Sequence, residues 1–193
     1  KVMDDGSGME PEDLLLSIEP HATSKISSAA DIYQVVSCGF RGEALASIAE
    51  VSQFEVVSRL QGSDTAHRLH RDKNGTYITS PASRAQGTTI TMKHLFHNVP
   101  VRRRFLKSDR SETSHNLDIL RKLALARPWI AMNVRHDERT CWDLPEEQQL
   151  EERVRGLLLF DKKCRFLPFE KEDGQLKVSG LVVSPPDHFG NGQ

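Results

Sequence analysis

The segment Gly39-Phe40-Arg41-Gly42-Glu43-Ala44-Leu45 constrains this chain most. Two glycines bracket an arginine, and helix-forming residues follow at once. The first amides of a helix have no carbonyl one turn back to bond. A glycine-rich turn opening onto such amides lets the backbone approach an anion closely, and the helix dipole favours negative charge there. Phosphate suits such a cradle. In isolation the segment fits an ordinary loop-to-helix junction equally well, so its neighbours must decide.

At 193 residues the chain has room for one domain and part of a second. With 37% hydrophobic and 27% charged residues it has a globular composition. No apolar run is long enough for a membrane helix and residues 1–6 carry no signal pattern, so no membrane partner is expected. The chain opens on Lys1 at what reads as the end of a strand, and it closes without a structural stop. The expectation is a piece of a longer protein. Cys38, Cys141 and Cys164 form neither a CxxC nor a metal pattern, which favours a reducing intracellular compartment. A net charge of −1 provides no global basic field, so any DNA contact must come from local patches.

Val2-Met3 reads as the tail of a buried strand entering the turn at 4–8. Pro11, Leu14, Leu15 and Ile18 predict a short helix that Pro20 stops. A second helix is expected over 43–48. Strands follow at 54–57, 66–71, 76–79 and 87–92, with Asn74-Gly75 as a hairpin turn. Leu117, Leu120, Leu123 and Ala124 give a core-facing helix over 112–127, with Asp109 as its cap and Glu112 three residues on. Residues 129–136 read as a strand. The polar run at 145–149 marks a domain boundary. Beyond it come a helix over 151–159 and strands at 166–169 and 176–184, turning at Asp173-Gly174. The result is an α+β domain with an antiparallel sheet, then the start of a second α/β unit.

Three further motifs carry chemistry. In Asp4-Asp5-Gly6-Ser7-Gly8, glycines admit a flat ligand and a carboxylate can accept from an exocyclic amine, although a solvated Asx turn has the same residues. Thr23, Ser24 and Lys25 offer two hydroxyls and an ammonium, which suit phosphate oxygens or a helix cap. Gly87-Thr88-Thr89 heads a strand, where a threonine can hold a water or a ring nitrogen. The basic run Arg102, Arg103 and Arg104 with Lys107 suits DNA phosphates, or equally a solvated face.

Taken in order, Asp4-x-Gly6-x-Gly8, the 21–25 motif, the 39–45 segment and Gly87-Thr88 resemble the GHKL ATPase superfamily. The run His-Ala-Thr-Ser-Lys-Ile from His21, and Gly-Phe-Arg-Gly-Glu-Ala-Leu-Ala-Ser-Ile from Gly39, resemble the MutL family of DNA mismatch repair proteins. Leu95-Phe96-His97-Asn98-Val99-Pro100, continuing to Leu106, resembles a signature of the same family. The resemblance spans essentially the whole chain.

This resemblance implies a GHKL-type α/β sandwich over residues 1–146, truncated at its N-terminus. It is a mixed, mainly antiparallel sheet with helices on one face. The start of a ribosomal-protein-S5-like α/β domain follows over 147–193. By the resemblance Asp4 binds the adenine amine of ATP, Gly6 and Gly8 shape that wall, and Thr88 assists. Thr23, Ser24 and Lys25 belong to a lid over the nucleotide. Gly39, Phe40, Arg41, Gly42, Glu43, Ala44 and Leu45 wrap the triphosphate. The intact protein is then an ATPase forming ADP and phosphate with Mg²⁺, and nucleotide drives lid ordering and N-terminal homodimerisation. Implied partners are DNA and the mismatch-recognition protein, endonuclease and helicase of the repair pathway. The implied location is the cytoplasm, at the nucleoid, in a bacterium.

The family's general-base glutamate and Mg²⁺-holding asparagine fall upstream of the Asp4 turn, and a γ-phosphate lysine falls beyond Gln193. These 193 residues therefore hold no catalytic or metal-ligating candidate, and alone they are expected to be inactive. Pro20 stands where the family often has arginine, and Val99 replaces a usual threonine. Another GHKL enzyme of gyrase type, or a non-catalytic DNA- or partner-binding scaffold, is the alternative reading.

Overall fold

The structure, a computed structural model, describes residues 1–20, 42–146, 149–158, 163–174 and 176–184. The chain divides into two compact units, Lys1–Leu106 and Lys107–Gln193. The division expected at 146/147 is the one the family resemblance implies.

In the first unit β1 (Val2–Met3), α1 (Pro11–Leu16) and α2 (Ala44–Glu50) precede β2 (Gln53–Arg59), β3 (Ala66–Arg71), β4 (Tyr77–Ala82) and β5 (Gly87–Lys93). A short helix α3 (Pro100–Arg103) follows. The strands form one sheet in the order β1-β5-β2-β3-β4, and every ladder among the described residues is antiparallel. Central β2 alternates as a half-buried strand should, with Phe54, Val56 and Ser58 inward. Val56 lies opposite Leu69 on one side and Ile90 on the other. Leu14 of α1 and Ala49 of α2 complete this core, so both helices cover the same face of the sheet. Burying Leu14, Val56 or Leu69 contributes about 1.5–3 kcal/mol each.

Pro11 opens α1 as expected, and Glu12 and Asp13 complement the dipole of its first turn. The far end of α2 is tied down by β3 and β4. Tyr77 Oη donates to Ala49 O at 3.1 Å, and Arg71 Nη2 donates to the same oxygen at 3.4 Å. The Asn74-Gly75 hairpin forms, with Gly75 at φ 85 and Asp72 accepting from the Asn74 and Thr76 amides. Val2 and Met3 do form a strand, but it lies at the sheet edge and both side chains are exposed rather than buried.

The second unit contains α4 (Asp109–Ala126), β6 (Met132–His136), β7 (Arg139–Leu144), α5 (Leu150–Leu158), β8 (Arg165–Asp173) and β9 (Leu176–Ser184). Ser108, not Asp109, caps α4: its Oγ accepts from the Ser111 amide at 3.4 Å. Glu112 reaches back to the Lys107 amide at 2.9 Å, the second half of a capping box displaced by one residue. Ala124 packs with Leu144 and Leu157, but Leu123 is exposed, so only part of the expected stripe is core. The strand β6 begins at Met132, after a turn that carries Trp129. Its partner β7 was not expected from the sequence. The connecting turn uses Asp137 and Glu138 at φ 46 and 64, with no glycine to signal it.

Arg153 of α5 is fully buried. Its Nη2 donates to Ile130 O and Pro145 O, each at 2.9 Å, and to Pro128 O. Burial holds the guanidinium pKa below its ordinary value. Strands β8 and β9 pair along their full lengths around Gly174, which sits at φ 59.

Candidate functional site

Strand β1 ends one residue before Asp4, and its pairing with β5 places that aspartate against Thr88. The Asp4 amide donates to Thr88 O at 2.9 Å. The Asp4 side chain then turns back: Oδ1 accepts from the Thr88 amide at 3.1 Å and from the Gly6 amide at 3.0 Å. Among the described residues Oδ2 has no hydrogen-bond partner. One oxygen is thus fixed by the backbone while the other stays available on an exposed residue.

Two glycines make this approach possible. Gly8 sits at φ 74, and a Cβ there would lie 2.0 Å from Arg59 O. Gly87 sits at φ 107, and its Cβ would lie 2.2 Å from Asp4 O. Neither position tolerates a side chain, for reasons of both conformation and space. Gly6 differs, since its backbone lies outside the left-handed region and an added Cβ would meet only the Asp4 carboxylate, with Oδ1 nearest at 3.1 Å.

Behind this wall lies a residue that the motifs did not mark. Ser58 is fully buried on the inward face of β2. Its Oγ accepts from the Met9 amide at 2.9 Å, donates to Gly87 O at 3.1 Å and lies 3.0 Å from Thr88 Oγ1. Arg84 adds a clamp, donating from Nη2 to Asp4 O at 2.9 Å and from Nη1 to Val57 O at 3.1 Å. Gln86 Nε2 donates to Gly6 O at 3.2 Å. The signal for Ser58 was a polar residue at an inward position of an alternating strand; Arg84 and Gln86 left none.

Gly42, Glu43, Ala44 and Leu45 stand at the start of α2. Gly42 is left-handed at φ 63, Glu43 holds the N-cap position and no side chain caps the helix. The helix supplies no carbonyl for the Ala44, Leu45 and Ala46 amides. Leu45 also packs against the sheet core. The expected phosphate residues Thr23, Ser24, Lys25, Gly39, Phe40 and Arg41 lie outside the described residues. Arg102, Arg103 and Arg104 lie on and just after α3, all exposed and without a side-chain partner among the described residues. Lys107 begins the second unit and is also exposed.

Among the described residues no group of three His, Cys, Asp or Glu is placed to hold a metal ion. The described residues therefore do not fit a Mg²⁺ site made of protein ligands alone. No helix among them is long and apolar enough to cross a membrane.

No family model matches the chain. Its sequence is 42% identical over 187 residues to the DNA mismatch repair protein MutL of Thiobacillus denitrificans, covering 96% of this chain and 31% of that protein. It is 39% identical over 185 residues to the MutL of Geotalea uraniireducens, covering 96% and 31%. The chain thus spans under a third of the length of these relatives. Its fold is similar to that of the Aquifex aeolicus MutL ATPase domain complexed with ADP, with a TM-score of 0.65 and 25% identity over 88% of this chain and 58% of that one. The N-terminal domain of a DNA repair protein shares the fold with a TM-score of 0.70, at 20% identity over 97% and 58%.

Proposed function

On the premise that this chain belongs to the MutL family of DNA mismatch repair proteins, we propose that its first unit reads the adenine of ATP through Asp4. The observation that carries this is the half-satisfied carboxylate. Two backbone amides hold Oδ1, while Oδ2 has no partner among the described residues. An exocyclic amine is the donor that suits such an oxygen. Gly6 keeps the space beside the Asp4 carboxylate free of a side chain, Gly8 lets the turn pack against Arg59 O, and Thr88, held by Ser58, offers a hydroxyl nearby.

The triphosphate is assigned to the glycine turn and the first amides of α2, from Gly42 to Leu45. Gly39, Phe40, Arg41 and the lid residues Thr23, Ser24 and Lys25 complete it by the family resemblance. ATP hydrolysis in the whole protein then transfers the γ-phosphoryl group to water. The described residues show no metal cluster, so no step is assigned to Mg²⁺. DNA is the proposed macromolecular partner, with Arg102, Arg103, Arg104 and Lys107 offered to its phosphates. Nucleotide-driven homodimerisation, contact with the other repair proteins, a cytoplasmic location and the family-type division at 146/147 belong to the same reading.

Titration calorimetry with ADP tests the assignment. Asp4→Asn keeps an oxygen for the two amides but turns the outer atom into a donor, which repels an amine and suits a guanine carbonyl. The loss of a charge-assisted bond costs about 1.5–3 kcal/mol, so ADP binding should weaken roughly 10- to 150-fold while GDP does not weaken in step. Unchanged ADP affinity would remove the assignment. The same samples should show no ATP turnover; turnover lost with Asp4→Asn would place a base within these 193 residues.

A further inference from the structure

The opposite face of the sheet in the first unit carries a cavity of about 350 Å³ that takes no part in the nucleotide cluster. Its size falls within the range of roughly 300–1,000 Å³ usual for small-molecule pockets. The floor is the outward face of β2, β3 and β5, with Glu55, Arg68, His70, Thr91 and Lys93. The rim is the segment after β5, which contributes His97 and Asn98. That rim belongs to the Leu95–Leu106 motif, which the nucleotide site leaves without a role.

The donors at this cavity are uncommitted. Among the described residues neither the Lys93 ammonium nor the His97 ring has a hydrogen bond or ion pair. His70 Nδ1 is buried with no partner. The acids are in a weaker position. Glu55 is already held by Arg68, which donates to it from both Nε and Nη2. Glu50 is the other lining acid and the one carboxylate there without a partner among the described residues; only its backbone oxygen is engaged, accepting from Asn98 Nδ2 at 2.7 Å. Cationic and neutral donors therefore exceed free carboxylates around the space. A metal ion is a poor fit, because no three-ligand group is present among the described residues.

The rim is also built to hold its shape. His94 and Phe96 both adopt left-handed backbone, at φ 52 and 59. Non-glycine residues stay in that region only where their surroundings force them, and such residues concentrate at ligand clamps. Here the forcing contacts are the Phe96 amide donating to Val51 O at 2.6 Å and the Asn98 bond to Glu50 O. They fix His97 over a floor that presents Lys93.

We propose that this cavity is an oxyanion seat that binds a phosphate group through Lys93, His97 and His70. The phosphate can come from a nucleic-acid backbone or from a small phosphomonoester, and the chemistry is the same for both. The site stands apart from Asp4 and does not depend on the nucleotide assignment.

Nuclear magnetic resonance of the ¹⁵N-labelled chain tests this, with inorganic phosphate and a short DNA duplex titrated separately at constant ionic strength. Chloride serves as the control. The expected result is a saturable shift of the His70, His97 and Thr91 resonances. Lys93→Ala should weaken it about tenfold or more, and Lys93→Arg should largely retain it. If the duplex displaces phosphate, the seat serves the DNA backbone, and Lys93→Ala should then lower the salt slope of binding by about 1. If phosphate alone acts, the ligand is a small phosphate ester. The amide resonances of Val56 and Leu69 in the sheet core should keep their parent positions in Lys93→Ala, which shows that the variant is folded without calling on the nucleotide assignment. The proposal falls if neither probe shifts His70 or His97, if chloride reproduces the shift, or if Lys93→Ala responds like the parent.

Discussion

Replacing Ser58 by alanine should damage both the stability of the first unit and its nucleotide affinity. The hydroxyl joins three partners that no other described side chain serves: the Met9 amide, Gly87 O and Thr88 Oγ1. A consistent arrangement has Thr88 donating to Ser58, Ser58 donating to Gly87 O, and the Met9 amide filling the remaining lone pair. Removing the oxygen strands the Met9 donor and frees the Thr88 rotor around a position that is itself fully buried. Each buried polar group left unpaired costs about 1–3 kcal/mol. Thr88 can partly recover by turning toward Gly87 O, so a total near 2–4 kcal/mol is expected rather than the full sum. Both tryptophans lie in the second unit, so their fluorescence would miss the change. Native-state hydrogen exchange at the Val56 and Leu69 amides in the sheet core reads it directly. Thr88→Val should cost less, because it leaves Ser58 with Gly87 O. The double variant should be non-additive by about 0.5–3 kcal/mol. ADP affinity should fall with Ser58→Ala, since Thr88 carries the amide that fixes Asp4. A Ser58→Ala protein within about 0.5 kcal/mol of the parent, with unchanged ADP binding, would refute the reasoning.

Other substitutions separate conformation from space. Gly62→Ala should cost only the left-handed backbone penalty of about 1–2 kcal/mol, because nothing lies within 4 Å of the added carbon. Gly8→Ala should cost more than about 4 kcal/mol and abolish ADP binding, because its Cβ would meet Arg59 O at 2.0 Å; similar melting temperatures for the two variants would contradict this. In the second unit Arg153→Met strands three carbonyls and should lower stability by about 2–4 kcal/mol. Arg153→Lys should be milder, since an ammonium has three donors and only one guanidinium nitrogen is used here. Tryptophan fluorescence in urea orders the two, and equal losses would show that burial rather than donation sets the cost.

Much of the fold was legible because its code is local. Asn74-Gly75, Pro11 and the alternation around Val56 each state their geometry within a few residues. The strand Arg139–Leu144 was not legible, because the turn before it uses Asp137 and Glu138 instead of glycine. The cap of α4 was misplaced by one residue because serine and aspartate both suit that position. In the candidate site Asp4 and Thr88 do come together, joined through the β1–β5 ladder. Ser58 and Arg84 were missed because their role depends on what lies opposite them in the sheet. No short motif records a partner some 30 or 80 residues away.

That last separation has a kinetic meaning. Arg84 and Thr88 reach Asp4 across 80 and 84 residues of chain. Contacts of such range form only after the intervening loop closure has been overcome, so they belong to the late stages of folding. Helix α2 and the β3–β4 hairpin can assemble without them. A nascent or partly folded chain therefore lacks the carboxylate geometry that would hold a base. On the proposed assignment, nucleotide binding would report a finished sheet.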